Sequence, residues 1–172
     1  MSKNKIKNQP LVSIIINCHN GEKYLEKSIQ SILDQTYKKW ELIFFDNNSQ
    51  DKSRFILKKF KDSRVKYFKT YKTYPLYHAR NLAIEKAKGE YVSFLDTDDW
   101  WINKKLETQV EIFSKDKKLD IQYSNLFIFN EKIKRKTIFS KNNLYNGRIT
   151  QNLLNNFKMP ILTTMIRRDV FK

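Results

Sequence analysis

Glycine is nearly missing from this sequence: Gly21, Gly89 and Gly147 are the only three. No glycine-rich phosphate loop can be built from them, which excludes the dinucleotide-binding fingerprint and the P-loop nucleotidases. A single cysteine, Cys18, rules out an internal disulfide and fits a reducing cytosol. With only two histidines beside it, there is no cluster of zinc-ligand spacing. No serine sits in a nucleophile elbow. No apolar run approaches the length of a membrane span, and the first ten residues are polar and basic, without the apolar stretch of a signal peptide. Acidic residues are also scarce, 18 against 34 Lys and Arg, for a net charge of +16. The lysines are spread through every segment, densest at Lys132, Lys134, Arg135 and Lys136. Such a spread describes a solvated surface, and it also attracts nucleic acid, anionic lipid or a phosphorylated ligand.

What is present suffices for one domain with a proper core: 172 residues, 40% of them hydrophobic and 14% aromatic. Short apolar runs at 11–17, 40–45, 65–68 and 91–95 read as buried strands. Between them, helical spacing appears at Tyr24, Leu25, Ser28, Ile29, Ile32 and Leu33, and at Ala79, Ala83 and Ala87 in a helix over 78–88 that Gly89 stops. Ser49 and Asp51 read as cap and first-turn residues of a helix carrying Phe55 and Phe60. Ile102, Leu106, Val110 and Phe113 mark a fourth helix. Alternation of this kind predicts an α/β fold, a mainly parallel sheet with helices on both faces. After residue 120 the pattern changes. A strand over 121–129 is expected to pair with 133–139 in a hairpin. Ile149, Leu153, Leu154 and Phe157 fit a short helix, Pro160 breaks it, and 161–166 reads as a last strand.

The run Tyr91-Val92-Ser93-Phe94-Leu95 ends abruptly in carboxylates: Asp96, Asp98 and Asp99. On an extended segment, side chains at i and i+2 point to one side, so Asp96 and Asp98 can converge at the carboxyl end of a strand. Open α/β sheets bind ligands at that end. Two such charges roughly 7 Å apart repel by about 2 kcal/mol at an effective dielectric near 20. A hard divalent cation bridging to phosphate oxygens would remove that repulsion. The plainer account is a solvated acidic turn that caps the next helix, a task suited to Asp99. Asp46 ends another strand on the same rim. There a carboxylate can accept a base N–H, or simply form the turn that Asp46-Asn47-Asn48-Ser49 favours.

With these segments in view, the chain resembles a family 2 glycosyltransferase with the GT-A nucleotide-sugar-binding fold. The resemblance rests on Val12-Ser13-Ile14-Ile15-Ile16 with Asn20; Tyr24-Leu25 through Ser28-Ile29 to Leu33 and Gln35-Thr36-Tyr37; Glu41-Leu42-Ile43 with Asp46 and Ser49; Ala79-Arg80-Asn81; Ala87-Lys88-Gly89-Glu90-Tyr91; and Phe94-Leu95-Asp96-Thr97-Asp98-Asp99. It covers residues 11 to about 110, and the last third matches loosely. It implies a single domain over 11–172 behind a polar tail, 1–10, with a nucleotide-sugar-binding half at 11–115 and a partial acceptor half at 116–172. It also implies site residues. Asn17, Cys18 and His19 would line the base, and Asp46 would bind a uracil ring. Arg80 would approach the base or phosphates. Asp96, with Thr97, would lie near the ribose or the metal, and Asp98 would be the main protein ligand of Mn²⁺ or Mg²⁺. One of Trp100 and Trp101 could wall the sugar pocket, while His78 reads as a partly exposed helix-start residue.

The implied activity is inverting, metal-dependent transfer of a sugar from UDP to a glycan or lipid-linked acceptor, in cell-surface polysaccharide biosynthesis. The expected setting is the cytoplasm, peripheral at the inner face of an anionic membrane. Three departures leave the donor base open: Asn17 replaces the usual Pro, His19 the usual aromatic, and Asn47 a common second Asp. The family's general base lies in an acidic motif beyond the strand that 161–166 resembles. None of Asp99, Glu107, Glu111, Asp116, Asp120, Glu131 and Asp169 sits in that context, so the expectation is a base absent from this chain, impaired transfer, and self-association through apolar surface near 161–171. The rivals are a basic nucleic-acid-binding module, which the acidic rim disfavours, and a degenerate donor-binding partner subunit.

Overall fold

The computed structural model describes residues 9–155 and 159–171. Chain order is β1 (Val12–Cys18), α1 (Leu25–Leu33), β2 (Trp40–Asp46), α2 (Ser53–Lys58), β3 (Val65–Lys69), α3 (Leu76–Ile84), β4 (Tyr91–Phe94), α4 (Lys105–Lys115), β5 (Ile121–Gln122), β6 (Phe127–Asn130), β7 (Arg135–Ile138), α5 (Thr150–Asn155) and β8 (Met165–Arg167). Two 3₁₀ turns, Ile161–Thr163 and Arg168–Phe171, flank β8. The main sheet runs β3-β2-β1-β4-β8-β5, and β6-β7 is a separate antiparallel ribbon. β1 to β4 are mutually parallel, while β8 runs antiparallel to both β4 and β5. The chain steps outward from β1 through β2 to β3, then returns to place β4 on the other side of β1. That reversal opens a crevice at the carboxyl ends of β1 and β4, where open α/β sheets take their ligands.

The period-2 alternation of β1 sorts the core into two layers. Val12, Ile14, Ile16 and Cys18 join Leu42 and Phe44 under α1 (Leu25, Ile29, Ile32) and α4 (Leu106, Val110, Phe113). Ile15, Ile43, Phe45, Val92 and Phe94 face α3, whose Ala79 and Ala83 carry little bulk and let the helix lie close. The expected fold class therefore stands. Several local expectations do not.

The third helix begins at Leu76, where the fixed φ of Pro75 leads into it, and ends at Ile84. Gly89 does not stop it. A Cβ there would lie 2.6 Å from the Ser13 amide nitrogen and 2.7 Å from the Leu11 carbonyl oxygen, so this glycine permits a close backbone approach. Nearby, Glu41 is buried and accepts hydrogen bonds from Ser13 Oγ (2.6 Å), the Lys88 amide (2.7 Å) and Lys66 Nζ. Burial alone would raise its pKa. The bonds from Lys66, Ser13 and Lys88 outweigh that and hold it below the usual carboxylate range.

Ser49 caps no helix; α2 starts at Ser53, whose N–H is taken by Asp51 Oδ1 at 3.0 Å. Phe55 and Ile102 point outward, 69% and 73% exposed. The strand expected over 121–129 is split, because Asn125 bonds both the N–H (3.1 Å) and the C=O (2.7 Å) of Ser140 with its own side chain and interrupts the ladder. The 161–166 segment opens with a 3₁₀ turn and becomes strand only at Met165. The N-terminal residues 1–8 and Phe157 lie outside the described residues.

Candidate functional site

Three loops meet at the carboxyl ends of β1, β2 and β4. The loop after β1 turns at Asn20, which adopts a left-handed φ of 56°. Asn20 Oδ1 accepts the Gln50 amide at 2.8 Å, and its own amide donates to Ser49 Oγ at 3.1 Å, so this loop is tied to the one after β2. The Gly21 amide donates to Ser53 Oγ at 3.0 Å. A Cβ on Gly21 would come within 2.9 Å of Thr97, so glycine here brings the first loop against the carboxylate segment.

His19 is exposed, its Nδ1 2.9 Å from the Asn47 carbonyl oxygen. Cys18 is fully buried, and burial raises its thiol pKa, so its side chain is an inert part of the core. Asn17 Nδ2 is buried without a hydrogen-bond partner among the described residues. An unpaired buried amide costs about 1–3 kcal/mol, so a ligand oxygen brought within its reach would be rewarded.

Asp46 is only 1% exposed. Its Oδ1 accepts the Ser49 amide at 2.7 Å, and its Oδ2 accepts the Tyr67 hydroxyl at 2.7 Å. Burial, then the bond to Asp46, raises the Tyr67 pKa, so the phenol stays protonated as a donor. Asn47 clamps the segment leading to α3, donating to the Tyr74 carbonyl (2.8 Å) and accepting its amide (2.9 Å). The sequence marks Asn47 as a turn residue and a lost charge and does not mark Tyr67; nothing local in it announces either contact.

β4 ends at Phe94, before the carboxylates. The Asp99 amide returns to the Asp96 carbonyl at 3.2 Å, so residues 96–99 form a turn. The extended geometry expected to align Asp96 and Asp98 is therefore absent, and the two differ in surroundings. Asp96 Oδ1 accepts Arg80 Nη2 at 3.2 Å, joining α3 to the rim. Asp98 is exposed, Thr97 and Asp99 half-buried. Burial, then the charges of Asp98 and Asp96, pushes the Asp99 pKa up to about 6. Trp101 is core, its indole N–H donating to the Leu162 carbonyl at 3.0 Å. Trp100 turns toward α1, with Lys27 Nζ 3.1 Å from its ring centroid. His78 stacks on Tyr74 at 4.6 Å between centroids, in keeping with a helix-start role.

Among the described residues, no three His, Cys, Asp or Glu side chains form a ready metal cage. The donor set still fits a hard cation that keeps much of its coordination for phosphate and water. Such an ion asks the protein for one or two carboxylates, and Asp98 stands exposed beside Asp99, whose ionisation is opposed by burial and then by the charges of Asp98 and Asp96.

A family model described as Glycosyl transferase family 2 matches residues 13–172. The Escherichia coli protein UDP-Glc:alpha-D-GlcNAc-diphosphoundecaprenol beta-1,3-glucosyltransferase WfgD is 41% identical over 120 residues, 70% of this chain and 47% of that one. The Bacillus subtilis putative teichuronic acid biosynthesis glycosyltransferase TuaG is 41% identical over 105 residues, 60% of this chain and 42% of that one. The chain thus spans less than half the length of these relatives. Among solved structures, S. aureus TarS in complex with UDP superposes with a TM-score of 0.66 at 20% identity, over 92% of this chain and 47% of that one. The mannosyltransferase PcManGT from Pyrobaculum calidifontis, in complex with GDP-Man and Mn²⁺, gives 0.69 at 18% identity, over 95% and 46%.

Proposed function

The chain belongs to glycosyl transferase family 2, and from that premise we propose that it binds a UDP-sugar at the β1/β4 crevice with Mn²⁺ or Mg²⁺ and serves inverting sugar transfer to a lipid-linked or glycan acceptor. The observation that carries this reading is the junction of three loops at that crevice, with Asp98 exposed and Arg80 ion-paired to Asp96 beside it. The relative WfgD, by its name, uses UDP-Glc and a diphosphoundecaprenol-linked GlcNAc, which supports both halves of the proposal.

Each residue has a task that its surroundings allow. His19 offers an exposed ring to the base, and the unpartnered Asn17 amide offers a donor to a ligand oxygen. Asp46 accepts the base N–H only if the 46–49 loop opens, since its carboxylate now lies behind Tyr67 and Ser49. Cys18 contributes through its backbone, its side chain being enclosed. Arg80 exchanges its bond to Asp96 for the donor's diphosphate, which leaves Asp96, with Thr97, available to the ribose or the cation. Asp98 would hold the cation, with Asp96 as a second ligand, and a cation bound there would supply charge neutralisation for the departing diphosphate. The acceptor hydroxyl attacks the anomeric carbon while the C–O bond to the diphosphate breaks, and a carboxylate takes the hydroxyl proton. No residue described above is assigned that last role.

The setting proposed is the cytoplasmic side of an anionic membrane, consistent with the +16 charge. No helix among the described residues is long and apolar enough to cross a membrane. Calorimetry of UDP binding tests the donor site. Binding is expected with Mn²⁺ and much weaker in EDTA; equal binding in both would remove the metal from the proposal.

A further inference from the structure

The β6–β7 hairpin stands apart from both core layers. Every residue from Glu131 to Phe139 is exposed, and β6 carries Phe127 at 67% and Ile128 at 51%. The register pairs Phe127 with Ile138 across the ribbon, so these two share a face, while Ile133 sits in the turn at 66% exposure. Around them are Lys132, Lys134, Arg135 and Lys136, none in an ion pair among the described residues. A lone two-stranded ribbon is marginal in water, and one with apolar side chains in solvent gains most from a surface that covers it. Two contacts hold it beside the candidate site: at its turn, Tyr24 Oη donates to Glu131 at 2.8 Å, and within β6, Phe129 meets Trp100 edge-on at 6.2 Å. Trp100 directly follows Asp98 and Asp99.

We propose that this hairpin is the element that docks the protein on an anionic lipid bilayer, with Phe127, Ile133 and Ile138 entering the interfacial layer and the four cations meeting lipid phosphates. The proposal sharpens the membrane contact named above and rests on that reading. The chemistry of the whole hairpin selects the partner. Nucleic acid would neutralise the cations and stack at most on Phe127, leaving Ile133 and Ile138 in water, since aliphatic side chains offer no stacking plane. A second copy would press two basic tips together against Coulomb repulsion. An anionic interface satisfies both halves at once, apolar side chains in the acyl boundary and basic ones at the headgroups. Docked there, the carboxylate turn lies next to the surface from which a lipid-linked acceptor would be presented.

Vesicle co-sedimentation without nucleotide tests this, using phosphatidylglycerol/phosphatidylcholine mixtures against pure phosphatidylcholine. Wild type should bind the anionic vesicles and lose them as salt rises. Replacing Lys132, Lys134, Arg135 and Lys136 with Gln should weaken partitioning by roughly 1,000-fold, at about 1 kcal/mol per cation near the surface. The charge-matched replacement of the exposed Lys61, Lys86, Lys117 and Lys118 with Gln should weaken it far less. Because Cys18 is buried, Ile133→Cys can carry a polarity-sensitive dye, whose emission should shift to the blue on anionic vesicles alone. Thermal melts check that each variant folds. If both quadruple variants lose equal affinity, or the dye does not shift, the hairpin assignment is overturned while a general charge-driven contact survives. If wild type ignores anionic vesicles, both fall, and UDP calorimetry judges the donor site separately.

Discussion

At the residue scale, the acidic turn is a place of stored repulsion. Asp99 resists ionisation because it is partly buried next to Asp98 and Asp96, so removing Asp98 relieves the metal-free protein. Asp98→Ala should leave the metal-free melting temperature unchanged or raised, yet weaken Mn²⁺-assisted UDP binding at least roughly 10–100-fold, the loss typical even of a metal ligand's outer partner. A large drop in metal-free melting temperature would instead make Asp98 a structural residue. Asp46 is a different case. Its charge is enclosed and held by two donors, so Tyr67→Phe leaves one carboxylate oxygen without its partner. Such a loss costs about 1–3 kcal/mol. Chemical denaturation should register it, and metal titration should not, since Tyr67 is bonded to Asp46 rather than to the turn at 96–99.

At the scale of elements, α4 carries an unusual burden. Lys105 lies buried with its ammonium 2.6 Å from Gln109 Oε1, 3.4 Å from the Thr164 carbonyl oxygen and 4.0 Å from the Trp101 ring centroid. No carboxylate balances it among the described residues. Desolvation pulls its pKa down to about 7. The unfolded chain then holds one more proton than the fold between about pH 7 and pH 10.4. Stability therefore rises with pH across that window, by up to about 1.4 kcal/mol per pH unit, and the penalty is constant below it. Lys105→Met should abolish that rise. Subtracting the variant's unfolding free energy from that of wild type at each pH isolates the effect, and parallel curves would show that Lys105 keeps its ordinary proton affinity.

At the scale of the molecule, element order and family were legible in the sequence because both are written in short-range patterns. Apolar runs of strand length gave β1 to β4, and spacing by three and four gave α1, α3 and α4, each correct in kind and off by a few residues at its ends. The Asp-rich segment was visible for the same reason, as a polar stop to an apolar run. What the sequence could not settle concerned contacts between residues distant along the chain. The placement of β4 against β1 on the side away from β2 creates the crevice, and it arises from how three crossovers pack, which no local window records. The fate of Asp46 was decided by Tyr67, twenty-one positions away. Gly89 looked like a helix stop because its neighbours are helical in pattern, while its real constraint is the backbone of β1 pressed against it. Even the carboxylates, the plainest local signal, take a shape that spacing does not give: one long-range bond from Arg80 and one turn closed by the Asp99 amide set their directions. Local spacing determines which face of an element is apolar; only the packed fold determines which side chains that element then meets, because partners are chosen by contacts whose sequence separation no periodicity encodes.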